Sequence, residues 1–277
     1  MAWLRRRQAK ASEEVLEPTD LGIELSPQRL ENVLNELFEH LEPEGGVERY
    51  VAALKMKSEL FGRLLAPEAI AELDEEARDT LLERVFSARR RLAPYVRSME
   101  LADFRSLANE LLRGKGALED RLDAFIEGIP CEGKSCRARR DLAADILHFY
   151  DPERYPLMAR WVWDVNTDSG ALRELVPHSD QITQLPTGGD PGTYLALRDW
   201  VKEQLEAQAF YRDLDLLADL VLAQVYAQYI KAMAEGMLRT DFGSNSEDPT
   251  EHVRKLLGID EQRMGGRSRL KEEDSEG

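Results

Sequence analysis

Apolar residues recur at helical spacing along most of the chain. In SPQRLENVLNELFEHL, Leu30, Val33, Leu34, Leu37, Phe38 and Leu41 fall three and four positions apart, one stripe along one helix face. Ser26 stands where an N-cap is needed and Pro27 at the first helical position, where a missing N–H costs nothing. The same period returns in VERYVAALKMKSELFGRLL, in DEEARDTLLERVFSARRRL and in SMELADFRSLANELL, whose Leu101, Phe104, Leu107, Ala108, Leu111 and Leu112 share a face. Gly45, Gly46, Gly114 and Gly116 separate some of these units.

ALEDRLDAFIEG reads as a short helix leading to a second from Ser135 to about Tyr150. Asp151 and Pro152 then read as a cap and first turn, with a helix restarting near Pro156 and carrying Trp161 and Trp163 on different faces. Residues 165–192 lack a period and read as a long functional or mobile loop. Helical pattern resumes in TYLALRDWVKEQLEAQ, in RDLDLLADLVLAQVYAQYIKAMAEGML and in DPTEHVRKLLG, the last with Asp248 as cap, Pro249 in first place and Gly258 just past the end. No stretch alternates at strand length. The expected fold is therefore all-α, an irregular bundle of about nine or ten helices with disordered termini. A single domain over 21–258, with a possible subdivision near 114–130, is expected between an N-terminal arm (1–20) and a charged tail (259–277).

Composition narrows the functional classes. The net charge is −16, from 53 acidic against 37 basic residues, which argues against holding nucleic acid by neutralising phosphates and favours a protein partner. LLADLVLAQVYAQYI, the most apolar run, is broken by Asp219 and glutamines and is too short to span a bilayer. The first residues carry arginines but no secretory apolar region follows them. Two cysteines in 277 residues form no disulfide framework, which agrees with a reducing compartment, so the expected location is cytoplasmic.

Chemistry-bearing residues concentrate in IPCEGKSCRARRDLAADILHFYDPERYPLMARWVWD, residues 129–164. Cys131 and Cys136 lack the further ligands of a zinc site, and no metal or other cofactor is expected. As thiols among Lys134, Arg137, Arg139 and Arg140 they present suitable electrostatics for redox work; the plainer reading is two small, partly buried side chains beside a solvated basic face. Catalytic candidates are Cys136, Asp164 and, from the irregular loop, His178. Partner-facing candidates are Trp161, Trp163, Tyr155, Arg137 and Arg140, since large aromatics and arginines carry much of the energy of interfaces.

The same segment resembles the helix-hairpin-helix DNA-glycosylase-like proteins over about 36 residues. Ile129, Pro130 and Gly133 match the hairpin, Lys134 lies near the position of a catalytic lysine in some members, and Asp164 stands in the place of the family's aspartate. The resemblance implies a helical fold whose hairpin meets DNA. Cys131 replaces the first hairpin glycine and Glu132 an apolar residue, so the implied relative is an inactive one. Three expectations follow, in order of preference: a non-catalytic accessory, assembly or adaptor protein that binds another protein; an enzyme, redox or hydrolytic, with its site between 131 and 192; and a glycosylase-like nucleic-acid protein without activity.

Overall fold

The computed structural model describes residues 15–238 and 249–260. Among them every regular element is helical: α1 (Pro27–Leu41), α2 (Gly46–Leu64), α3 (Pro67–Ala71), α4 (Glu75–Glu83), α5 (Ala88–Arg91), α6 (Ala93–Ser98), α7 (Leu101–Arg113), α8 (Leu118–Gly128), α9 (Ala138–Tyr150), α10 (Ala171–Leu175), α11 (Pro191–Ala207), α12 (Leu214–Leu238) and α13 (Pro249–Leu257). Nine of the 13 have seven or more residues, matching the long stripes read from the sequence; the short ones sit where prolines and turns interrupt the period. No described helix is long and apolar enough to cross a membrane.

Two helices form the centre. In α9 every residue from Asp141 to Phe149 is buried, and in α12 so is every residue from Leu216 to Val225. A helix covered on all sides has no solvent face on which to put its polar residues; Asp141, Asp145, His148 and Asp219 meet partners inside, while the Gln224 amide makes no hydrogen bond among the described residues. α2 packs against both central helices; α1, α10, α11 and α13 surround α12, while α5, α7 and α8 surround α9. The first stripe behaves as predicted: Ser26 accepts from Arg29 N, and Leu30, Leu34, Leu37 and Leu41 are fully buried. Phe38, at the stripe's edge, is only partly covered and packs on Phe210 with ring centroids 5.2 Å apart.

Three expectations are corrected by local chemistry. Ser135 does not cap the helix ending at Tyr150; it lies in a 3-10 turn, Gly133–Arg137, whose capping box pairs it with Glu132, and α9 begins only at Ala138. No helix restarts after Pro156. Residues 156–159 are irregular, and a turn then brings Asp164 into a bridge with Ser169. The long loop to residue 192 is tied down by side chains: Trp163 Nε1 donates to Gly188 O (2.7 Å), Thr187 Oγ1 to Leu21 O (2.8 Å), and Arg173 to the Ser179 and Ile182 carbonyls (2.8 and 2.6 Å).

The expected arm over 1–20 falls outside the described residues as far as residue 14, and the tail from 261 does so entirely; Asp248, the expected cap of α13, does too. Residues 15–25 run as an irregular strap, with Leu16, Leu21, Ile23 and Leu25 against the core and Thr19 N donating to Gly192 O (3.1 Å). Leu37→Ala removes a fully buried side chain from the α1 stripe, and we expect urea unfolding to show a loss of roughly 2–5 kcal/mol, the range for a buried leucine that leaves a cavity.

Candidate functional site

Segment 129–164 is organised around α9 rather than as a pocket. Cys131 and Cys136 are joined in a disulfide across the 3-10 turn, correcting the expectation of two free thiols. Asp164 Oδ1 accepts from Asn166 N (3.1 Å) and shapes its own turn. His178 is exposed, at positive φ, at the start of the 3-10 turn Ser179–Gln181. Neither of the two best-formed cavities among the described residues includes Cys136, Asp164 or His178, and no hydrogen bond or ion pair joins the three into a catalytic constellation.

The partner-facing candidates divide sharply. Trp163 and Tyr155 are buried and have almost no surface to offer a partner. Trp161 is half-buried and packs against Tyr226 with ring centroids 6.3 Å apart. Arg140 donates to Gly189 O (2.7 Å) and lies over the Tyr194 ring, while the Tyr194 hydroxyl donates to Trp163 O (2.6 Å); the guanidinium braces the long loop. Arg139 turns inward to the Cys136 and Ile129 carbonyls. Of the named group only Arg137 is exposed.

The centre holds a charge cluster that the sequence pattern hides. Lys57 of α2, 1% exposed, donates to Asp145 Oδ2 of α9 (2.7 Å) and to the Leu257 carbonyl at the end of α13 (2.8 Å), and its ammonium sits 3.6 Å from the centre of the Phe149 ring. One turn along α9, His148 faces the Tyr155 carbonyl through Nδ1 (2.8 Å) and Asp219 Oδ2 of α12 through Nε2 (2.8 Å). A carbonyl only accepts, so Nδ1 carries a proton and Nε2 is the atom turned to the carboxylate. Burial pushes the Lys57 amine below lysine's ordinary range and the Asp145 carboxyl above its own, each opposed by the other's charge. With no opening to solvent this cluster is architectural. The visible signal was Lys57 itself, which takes the stripe position after Tyr50, Val51 and Leu54 and before Phe61.

A sizeable cavity opens on the surface. It has a volume of about 260 Å³ and is lined by Ala52, Ala53 and Met56 of α2, Ile259 beyond α13, and a polar end of Glu44, Arg49, Tyr50 and Arg254. The polar end is satisfied internally: Tyr50 and Arg254 both donate to Glu44, and Arg49 donates to the Glu44 carbonyl (2.8 Å). Met56 is 56% exposed at the apolar end. Glu48 and Glu59, both exposed, continue the line of Ala52 and Met56 one turn to either side along α2.

No protein-family model matches the chain, no curated protein matches it, and no solved structure matches its fold.

Asp145→Asn leaves Lys57 buried without its hydrogen-bonded countercharge, and we expect a loss of about 3–5 kcal/mol in chemical denaturation, most of it recovered in Lys57→Met/Asp145→Leu. The pH dependence of Asp145→Asn follows from the lowered Lys57 pKa. Between that value and lysine's ordinary 10.5 the unfolded chain binds the proton that the folded one has lost, so stability rises with pH across this window. Unfolding curves from neutral pH to about 10 that show no rise in Asp145→Asn would place the variant's Lys57 in water.

Proposed function

We propose that the chain is a non-catalytic adaptor that binds another protein, with the cavity between α2 and Ile259 as the receptor for one apolar anchor side chain. The observation that carries this reading is the exposed Met56 at the apolar end of a 260 Å³ surface cavity, beside Ala52, Ala53 and Ile259. Met is suited to such a surface because its unbranched, polarisable side chain adapts to the shape that enters.

The fitting partner is a segment with one large aliphatic or aromatic residue flanked by basic residues about one helical turn to either side. Its anchor fills the cavity, and its cations meet Glu48 and Glu59. A chain of net charge −16 attracts such a segment before contact.

Display of a random peptide library on the full-length chain tests this directly. Selected peptides should carry the basic–apolar–basic pattern and lose at least tenfold in affinity against Met56→Glu, about 1.4 kcal/mol or more. Peptides that bind Met56→Glu as tightly as the parent would locate the interface elsewhere. Binding that rises sharply when the chain is cut after Asp260 would identify the chain's own tail as the occupant and overturn the adaptor reading of the cavity.

A further inference from the structure

The disulfide stands in unusual electrostatic surroundings for so acidic a chain. α5 packs against the 3-10 turn Gly133–Arg137 and against α9, which sets two short cationic elements side by side. Arg90 and Arg91 of α5, and Lys134 and Arg137 of the turn, are all exposed. None of the four is seen in an ion pair or hydrogen bond with another described residue, whereas their neighbours Arg89, Arg139 and Arg140 are engaged with Asp260, with the Cys136 and Ile129 carbonyls, and with Gly189 O. The one acid inside the disulfide loop, Glu132, is occupied in the capping box with Ser135.

The loop is also open to approach. Both half-cystines are partly exposed, and Gly133 at the tip, at φ +52°, has no heavy atom within 4 Å of the place its Cβ would take. A disulfide that serves only to staple a core has no need of this access, nor of four cations held in no ion pair in its turn and on the helix packed against it.

We propose that Cys131–Cys136 is a thiol–disulfide exchange site for a low-molecular-weight thiol of net negative charge, drawn in by Arg90, Arg91, Lys134 and Arg137. The thiolate attacks one Sγ; the S–S bond breaks, a mixed disulfide forms, and the other cysteine leaves as a thiolate with the bond's electron pair. A second thiolate attacks the mixed disulfide, producing the oxidised small molecule and freeing the second cysteine. Two electrons pass from two small thiols to the protein, and their two protons end on Cys131 and Cys136. The cations raise the local concentration of the anionic reductant and stabilise each departing thiolate.

The test uses the full chain, with glutathione as the anionic thiol and cysteamine as a cationic one. Reduction is followed by alkylation of the freed cysteines, with rates corrected to equal thiolate concentration. Glutathione should react about tenfold faster than cysteamine at low ionic strength, an advantage that high salt abolishes. The same advantage should vanish in Arg90→Ala/Arg91→Ala/Lys134→Ala/Arg137→Ala, while Cys136→Ser and Cys131→Ser, each treated with oxidised glutathione so that the remaining thiolate displaces one glutathione thiolate, should show which cysteine retains the small thiol as a mixed disulfide. A disulfide that millimolar glutathione does not reduce, or equal rates for the two thiols at every salt concentration, would overturn the proposal. So would a short single-stranded DNA that binds these four residues while the two thiols react alike, because the patch would then be reading phosphate.

Discussion

The interaction on which this fold depends is the hydrogen-bonded pair Lys57–Asp145, completed by the carbonyl of Leu257. It ties α2 to the fully buried α9 and draws in the end of α13 from far along the chain. The C-terminus of a helix carries unpaired carbonyls and partial negative charge, and Lys57 answers both from inside the core. Bare burial of an ammonium is prohibitive. Here a carboxylate, a carbonyl and the face of Phe149 replace the water that Lys57 gives up, and Asp219, paired with His148, adds a second carboxylate to the surroundings. The arrangement also fixes register, because sliding α2 by one turn would bring an uncompensated charge against the apolar wall of α9.

The geometry at the end of α13 shows how narrow the tolerance is. Gly258 takes a left-handed conformation while Ile259 N returns to Arg254 O (3.0 Å), closing the helix end. A Cβ at Gly258 would fall 1.8 Å from the Arg84 carbonyl, so no other residue lets the chain pass α4 closely enough for Leu257 to reach Lys57. Gly258 was legible in the sequence as a helix terminator. That it also seats α13 upon Lys57 depends on Arg84, a residue distant in sequence.

Legibility follows the range of the forces involved. The α1 stripe, the Ser26 cap and the proline-led start of α13 are set by residues within a few positions of each other, and the period reveals them. The helix expected after Pro156 was not local in this sense. Asp141 accepts from Arg160 N (2.9 Å) and its guanidinium (2.7 Å), and Trp163 is drawn to Gly188, so long-range partners hold this stretch in turns instead of helix. The disulfide was concealed differently. Cys131 and Cys136 were read as if Cys136 already lay on the helix of His148, whereas the 3-10 turn before α9 folds the first cysteine back onto the second. Of the candidate site, the basic residues around Lys134 were visible by composition; which of them remain unpaired was not, because that depends on backbone carbonyls supplied by other elements.

Those carbonyls explain why so acidic a chain can still present a small cationic surface. Nearly all regular backbone acceptors are used inside helices, so the irregular joints leave carbonyls in need of donors, and arginine supplies several in a rigid fork. Arg29, Arg105, Arg140, Arg173 and Arg198 are each committed in this way, to carbonyls of residues between the helices, and Arg121 to the Leu111 carbonyl in the last turn of α7. Their positive charge is thereby turned inward, which leaves the outer surface more acidic than the sequence count suggests. Against that background an arginine or lysine without a carbonyl or carboxylate to serve is conspicuous, and the 3-10 turn of the disulfide and the helix α5 packed on it carry four of them.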